Sequence, residues 1–150
     1  MLKKFREILF IAIIFIAAGC PYLVESVDLI TIQNYSNDTI RYYASYIYPD
    51  TSMSNSKPRL IRINPQNFGF LDSKKDWEKV LTPPNDTVSI FFLSESVVNT
   101  YDWDEVRNKY LILKRYDLSL DDLKLLKWTI HYPPTEEMKD MKMYPPYGSE

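Results

Sequence analysis

The sequence predicts an α+β fold, a mostly antiparallel β-sheet of about six short strands with about three short helices in the second half; a sandwich is one form such a sheet can take. Three observations carry this reading. Short β-branched and aromatic runs recur with turn residues between them, as in Val27 to Asn34, Thr39 to Tyr48 and Thr87 to Leu93. Helix-capping patterns occur only from Ser73 onward, so helices are interspersed late instead of alternating with every strand. The 150 residues include only 3 glycines, which argues against Gly-rich phosphate loops and repeated tight-turn architectures.

The elements follow in order. Val27 to Asn34 (VDLITIQN) reads as a strand with Ile30 and Ile32 on one face, and Asn34 to Asp38 supplies turn chemistry. Thr39 to Tyr48 (TIRYYASYIY) then alternates, with Ile40, Tyr42, Ala44, Tyr46 and Tyr48 on one face and Arg41, Tyr43 and Ser45 on the other. These two strands are expected to pair as a hairpin. Pro49 to Pro58 is polar and proline-bounded, an exposed loop leading into a strand at Arg59 to Ile63. Ser73 and Asp76 resemble a capping box for a helix to Val80, and Pro83-Pro84-Asn85-Asp86 turns the chain into Thr87 to Leu93, apolar on both faces and therefore central. Asp102 with Glu105 caps a helix ending near Tyr110, before a strand at Leu111 to Tyr116. Ser119 with Asp122 caps a third helix, Leu120 to Lys127, before a strand at Trp128 to Tyr132.

The N-terminus has the layout of an export signal. Lys3, Lys4 and Arg6 precede an uncharged apolar run from Ile8 to Ala18 that as a helix would rise only about 16 Å, too short for a bilayer core. Ala17, Ala18 and Gly19 before Cys20 resemble a lipobox, the recognition sequence of the lipoprotein signal peptidase, with Cys20 as the lipidated residue. The plainer account of Cys20 is a small residue ending an apolar stretch. Lipidation explains a single cysteine in an exported chain. The resulting division is 1–19 signal peptide, 20–26 lipidated tether, 27–133 a single α+β domain, and 134–150 a charged, Pro-interrupted tail expected to be loosely held. Removing residues 1–19 takes away Lys3, Lys4, Arg6 and Glu7, so the formal charge moves from −2 to −4. Nucleic acid is a poor partner for such a chain.

The segments NYSNDTIRYYASYIYPDTS (34–52) and SIFFLSESVVNTYDWDEVRNKYLILKRYDLSLDDLKLLKWTIHYP (89–133), with the lipobox, resemble uncharacterised small lipoproteins of Bacteroides-type bacteria. The resemblance is most specific in YPDTS and LKRYDLSLDDLKLLKWTI, and it implies a cell-envelope location and no particular activity. It also implies that Asp38-Thr39-Ile40 and Asp86-Thr87-Val88 resemble the three-residue O-glycosylation signal of such bacteria. The structural alternative is that both are turn-to-strand junctions; either way Thr39 and Thr87 are expected to be exposed.

Catalytic chemistry finds little material. His131 is the only histidine and is expected at a solvent-facing or edge position of its strand, with a catalytic base as the alternative. One histidine and one acylated cysteine cannot make a zinc site, and Asp102, Asp104, Glu105, Asp121 and Asp122 are explained by helix caps and dipoles without a metal. No cofactor is expected. Twelve Tyr, 7 Phe and 3 Trp make aromatics the more suggestive feature, since tyrosine suits sugar stacking or a protein interface as well as strands. The face of Arg41, Tyr43 and Ser45, with Tyr43 exposed, and the loop from Pro49 to Pro58 are the candidate binding surface. The chain is thus expected to be a lipid-anchored envelope protein, on the outer membrane in preference to the inner, with a non-enzymatic binding or assembly module for an envelope protein or glycan. The alternative is a carboxylate-dependent glycan hydrolase or glycan-binding accessory protein.

Overall fold

The structure, a computed structural model, describes residues 29–73 and 75–149. Cys20, Ala17, Ala18, Gly19 and the tether lie outside the described residues. Among the described residues there are eight strands and four short α-helices, an α+β fold with two mostly antiparallel sheets.

The strands are β1 (Ile30–Asn34), β2 (Ile40–Ser45), β3 (Ile61–Ile63), β4 (Asn67–Leu71), β5 (Thr87–Ser94), β6 (Lys114–Ser119), β7 (Thr129–Tyr132) and β8 (Lys142–Tyr144). The helices are α1 (Trp77–Val80), α2 (Glu95–Thr100), α3 (Trp103–Asn108) and α4 (Leu120–Leu125). One sheet has the order β4-β1-β7, the other β3-β2-β5-β6-β8. All pairings are antiparallel except β1 with β7, where Thr31 lies beside Thr129 and Asn34 beside Tyr132.

The inward residues of the two sheets form one core, with Ile30, Ile32 and Ile130 from the smaller sheet facing Ile40, Tyr42, Ile90, Phe92, Tyr116 and Leu118 from the larger. α1 and α4 close its margins with Trp77 and Leu123. The larger sheet has a second core on its other face, where Tyr43, Phe91 and Leu93 meet Met53 and Val106. β5 is therefore buried on both faces, as its apolar run predicts. The molecule is built in three layers: the small sheet, the large sheet, and a cover of α2, α3 and the loop after β2.

The expected β1–β2 hairpin does not form. The chain leaves β1 and crosses between sheets at 35–39, and it crosses back between β3 and β4. Asn34, fully buried, staples both crossings. Its Nδ2 donates to the carbonyls of Asp38 (2.8 Å) and Asn64 (3.1 Å), and its Oδ1 accepts from Ser36 N (3.0 Å) and Ser36 Oγ (2.7 Å). Two tyrosine hydroxyls also span the core from the large sheet: Tyr42 donates to the Phe70 carbonyl (2.7 Å) and Tyr116 to that of His131 (3.1 Å).

β4 was not anticipated, because its alternation is inverted: Phe68 and Phe70 point outward while Gly69 points in. A Cβ at Gly69 would lie 2.9 Å from Tyr42 Oη and 3.0 Å from Ile63 Cδ1. Glycine is needed there for close approach. The segment 134–150 is not a loose tail either. Met138 and Met141 are buried in the first core, and β8 pairs with β6 at the edge of the large sheet. Ser119 and Asp122 form a complete capping box and Asp102 caps α3, whereas Asp76 precedes α1 without a side-chain cap bond. α2, capped by Ser94, was also unanticipated.

Truncating Asn34 leaves several buried backbone groups unpaired, and removing the Tyr42 hydroxyl leaves one. Asn34→Ala is expected to cost about 2–3 kcal/mol and Tyr42→Phe about 1–2 kcal/mol. Urea unfolding followed by tryptophan fluorescence measures both, and unchanged midpoints would show that neither bond matters.

Candidate functional site

The crossing held by Asn34 builds one wall of a cleft of about 590 Å3 at the end of the sandwich. Ser36, Asp38 and Thr39 come from the crossing, Ser94, Glu95, Ser96 and Asn99 from the end of β5 and from α2, and Tyr132 and Leu113 close the far side. The two main walls are tied through backbone, Glu95 N donating to the Thr39 carbonyl at 3.3 Å. Ser94 Oγ accepts from Val97 N at 3.1 Å and lies 3.0 Å from Ser96 Oγ, which fixes the hydroxyls on α2.

Glu95 is the electrostatic centre of this end. Arg41 donates to it through both Nε and Nη2, the latter at 3.0 Å to Oε1, and Arg62 Nε donates to Oε1 at 3.3 Å. The Arg41 hydrogen bond, above all, holds the Glu95 carboxyl below its ordinary value of 4.5. The group is therefore ionised throughout the neutral range and its oxygens are occupied by two guanidiniums. A general acid for glycoside cleavage needs the opposite, a carboxyl raised by an apolar or like-charged setting.

Arg41 thus belongs to the cleft through Glu95, but Tyr43 does not face solvent. It is only 4% exposed, its ring stacked on Phe91 at 4.8 Å and edge-on to Trp103 at 6.0 Å. Burial pushes its hydroxyl pKa up. The reason is the loop after β2, which is not a free surface loop: Met53 plugs into the second core, Trp103 Nε1 donates to the Ser54 carbonyl (2.8 Å) and Tyr110 Oη to that of Thr51 (3.1 Å). Ser45 is half-buried and lines a smaller hollow of about 400 Å3 beneath this loop. Behind it, Asp117 is buried against Arg115 (Nη2–Oδ2 3.0 Å) and accepts from Ser89 Oγ (2.7 Å).

Thr39 is half-exposed in the cleft, whereas Thr87 is 8% exposed inside β5 next to Ser119, so its expected exposure is corrected. Thr87 opens β5 and sits low in a hollow whose walls are Tyr48, Asp117 and Asp122, and these neighbours cover most of its side chain. His131 sits on the edge strand β7 with its ring edge-on to Tyr35 at 5.3 Å. Among the described residues no group of three or more His, Cys, Asp or Glu side chains is placed to hold a metal ion. Asp102 and Asp122 are occupied as helix caps.

Glu95, Arg62 and Asn99 were not singled out by the sequence. For Glu95 and Asn99 the only signal was the Ser94-Glu95-Ser96 run after a central strand, which marks a helix start at a strand end, and Arg62 on β3 had none. Comparison with family models, with curated proteins and with solved structures finds no match to this chain.

Because Glu95 has a depressed pKa, its pairing stabilises the fold above the ordinary glutamate value and that contribution is lost as pH falls through the lower folded value. Glu95→Gln is expected to lower stability by less than about 1 kcal/mol at pH 7, since the pair is partly solvated. The difference from wild type should fade as the pH is taken below 4.5. Parallel urea titrations across the acid range measure it, and a difference that grows on acidification would reverse the assignment.

Proposed function

We propose that this chain is a lipid-anchored protein of a bacterial cell envelope, held through acyl chains on Cys20 and on the outer membrane in preference to the inner. Its domain is a non-enzymatic binding module whose end cleft takes an uncharged glycan. The single observation that carries the binding reading is the capture of Glu95 by Arg41 and Arg62, which leaves the cleft with hydroxyls, an amide and an aromatic edge but without a free acid on that wall. Serine and threonine hydroxyls and Asn99 match sugar hydroxyls, and Tyr132 with Leu113 offers apolar surface to a sugar's C–H face.

A second reading is kept because Asp38 and Glu95 line the same cleft: a glycan hydrolase using that pair. Glycan-array binding followed by product analysis separates the two. Retention without new reducing ends, weakened about tenfold by Asn99→Ala, a loss of about 1.4 kcal/mol, supports the binding module. Release of reducing ends that disappears in Glu95→Gln or Asp38→Asn supports the hydrolase.

The anchor is tested by Cys20→Ala and cell fractionation. Loss of the acyl mass and of membrane association is expected; a variant of unchanged mass that stays on the membrane sinks the lipobox reading. Of the two Asp-Thr sites, the exposed Thr39 is the expected glycan acceptor. Intact-mass analysis of protein from its own host should lose a glycan in Thr39→Ala and keep it in Thr87→Val.

A further inference from the structure

The outer face of the small sheet is set apart from the rest of the surface. By register, Phe70, Thr31 and Thr129 form one row across it and Phe68, Gln33 and His131 the next. None of the six carries a carboxylate or an ammonium group. Phe68 and Phe70 touch each other edge-on at 5.2 Å and are 52% and 44% exposed. The helices place their buried residues in the two cores inside the molecule, on the other side of these strands. Tyr35 and Leu29, both exposed, extend the face at its two ends.

Two phenylalanines this exposed on a sheet face are an unfavourable way to meet water, and a face with no Asp, Glu, Lys or Arg at these six positions fits neither a strongly acidic nor a strongly basic partner. Rings beside hydroxyl, amide and imidazole groups are the chemistry of the bilayer interface, where apolar bodies sink toward the acyl chains and polar groups stay among the headgroups. The chain's own length adds a second constraint. β1 is the middle strand of this sheet, and only residues 21 to 29 separate Cys20 from it, a reach of roughly 35 Å even when fully extended. A surface held that close meets the bilayer at a high effective concentration, so weak apolar contacts suffice.

We infer that the Phe68–Phe70 face is the surface on which the domain rests against the membrane, with phospholipid at the interface as its occupant. This rests on the lipid-anchor reading of Cys20. The strands then lie along the bilayer, and the cleft, at the opposite end of β1 from the tether, opens sideways along the membrane surface.

Hydroxyl-radical footprinting of the acylated protein tests this without altering the face. The protein is reconstituted at one copy per nanodisc of phosphatidylcholine and phosphatidylethanolamine, and the acyl mass on Cys20 is verified first. After correction for intrinsic reactivity, oxidation of Phe68 and Phe70 is expected to fall at least about fivefold below that of Tyr101, which is 40% exposed on the far side of the large sheet. Equal oxidation of the three residues on an acylated chain overturns the docking surface and leaves the anchor standing. Protection that arises only in discs carrying two copies assigns the face to a second copy of the chain and overturns the lipid assignment. A mature chain without the acyl mass overturns the anchor reading, and this inference with it.

Discussion

The side-chain hydrogen bonds of Asn34 are the constraint on which the architecture turns. A chain that runs from one sheet into the other must bury backbone at the crossing, and buried carbonyls and amides need partners. Here a single carboxamide supplies them for two of the five crossings, β1 to β2 and β3 to β4, donating to Asp38 and Asn64 and accepting from Ser36. With the crossings fixed, β1 and β4 form one layer, β2 and β3 the other, and the tyrosines of the large sheet can reach across to the carbonyls of the small one. The same bonds set the positions of Ser36, Asp38 and Thr39, so the cleft inherits its wall from the staple that holds the fold together.

A layered arrangement with two cores explains where polar chemistry ended up. β5 is sealed on both sides, and Ser89, Asp117 and Arg115 beside its start pair with one another. A free-standing buried charge there would be costly. At the cleft, polar side chains gather where strands give way to a crossing and a helix start. Glu95 shows the same economy at the surface: its two arginines bring β2, β3 and α2 together while neutralising a carboxylate beside the cleft.

Local signals were legible in the sequence, and non-local ones were not. The Ser119–Asp122 capping box and the doubly apolar β5 are written within a few residues, so they could be read directly. The turn at 34–38 was legible as a turn, but whether it returns the chain to the same sheet depends on what Asn34 finds at Asn64, nearly a whole sheet away in sequence. β4 reads backwards because its inward position is filled by Tyr42 from another strand, forcing glycine in and phenylalanine out. Alternation placed Tyr43 opposite Tyr42 correctly but could not reveal that Met53 and Trp103 cover it. Likewise the prolines and charges after Tyr132 disguise two methionines that reach the core. The cleft gathers residues from several separate segments, and no spacing rule connects them.

The pairing of β1 with β7 has a temporal side. The first strand of the domain lies between β4 and a strand from near the other end of the chain, and β8, later still, completes the edge of the large sheet. Contacts so distant in sequence close slowly, because the intervening chain must be gathered before they form. A polypeptide in which residues 129–144 are missing or displaced therefore loses an edge strand of each sheet at once.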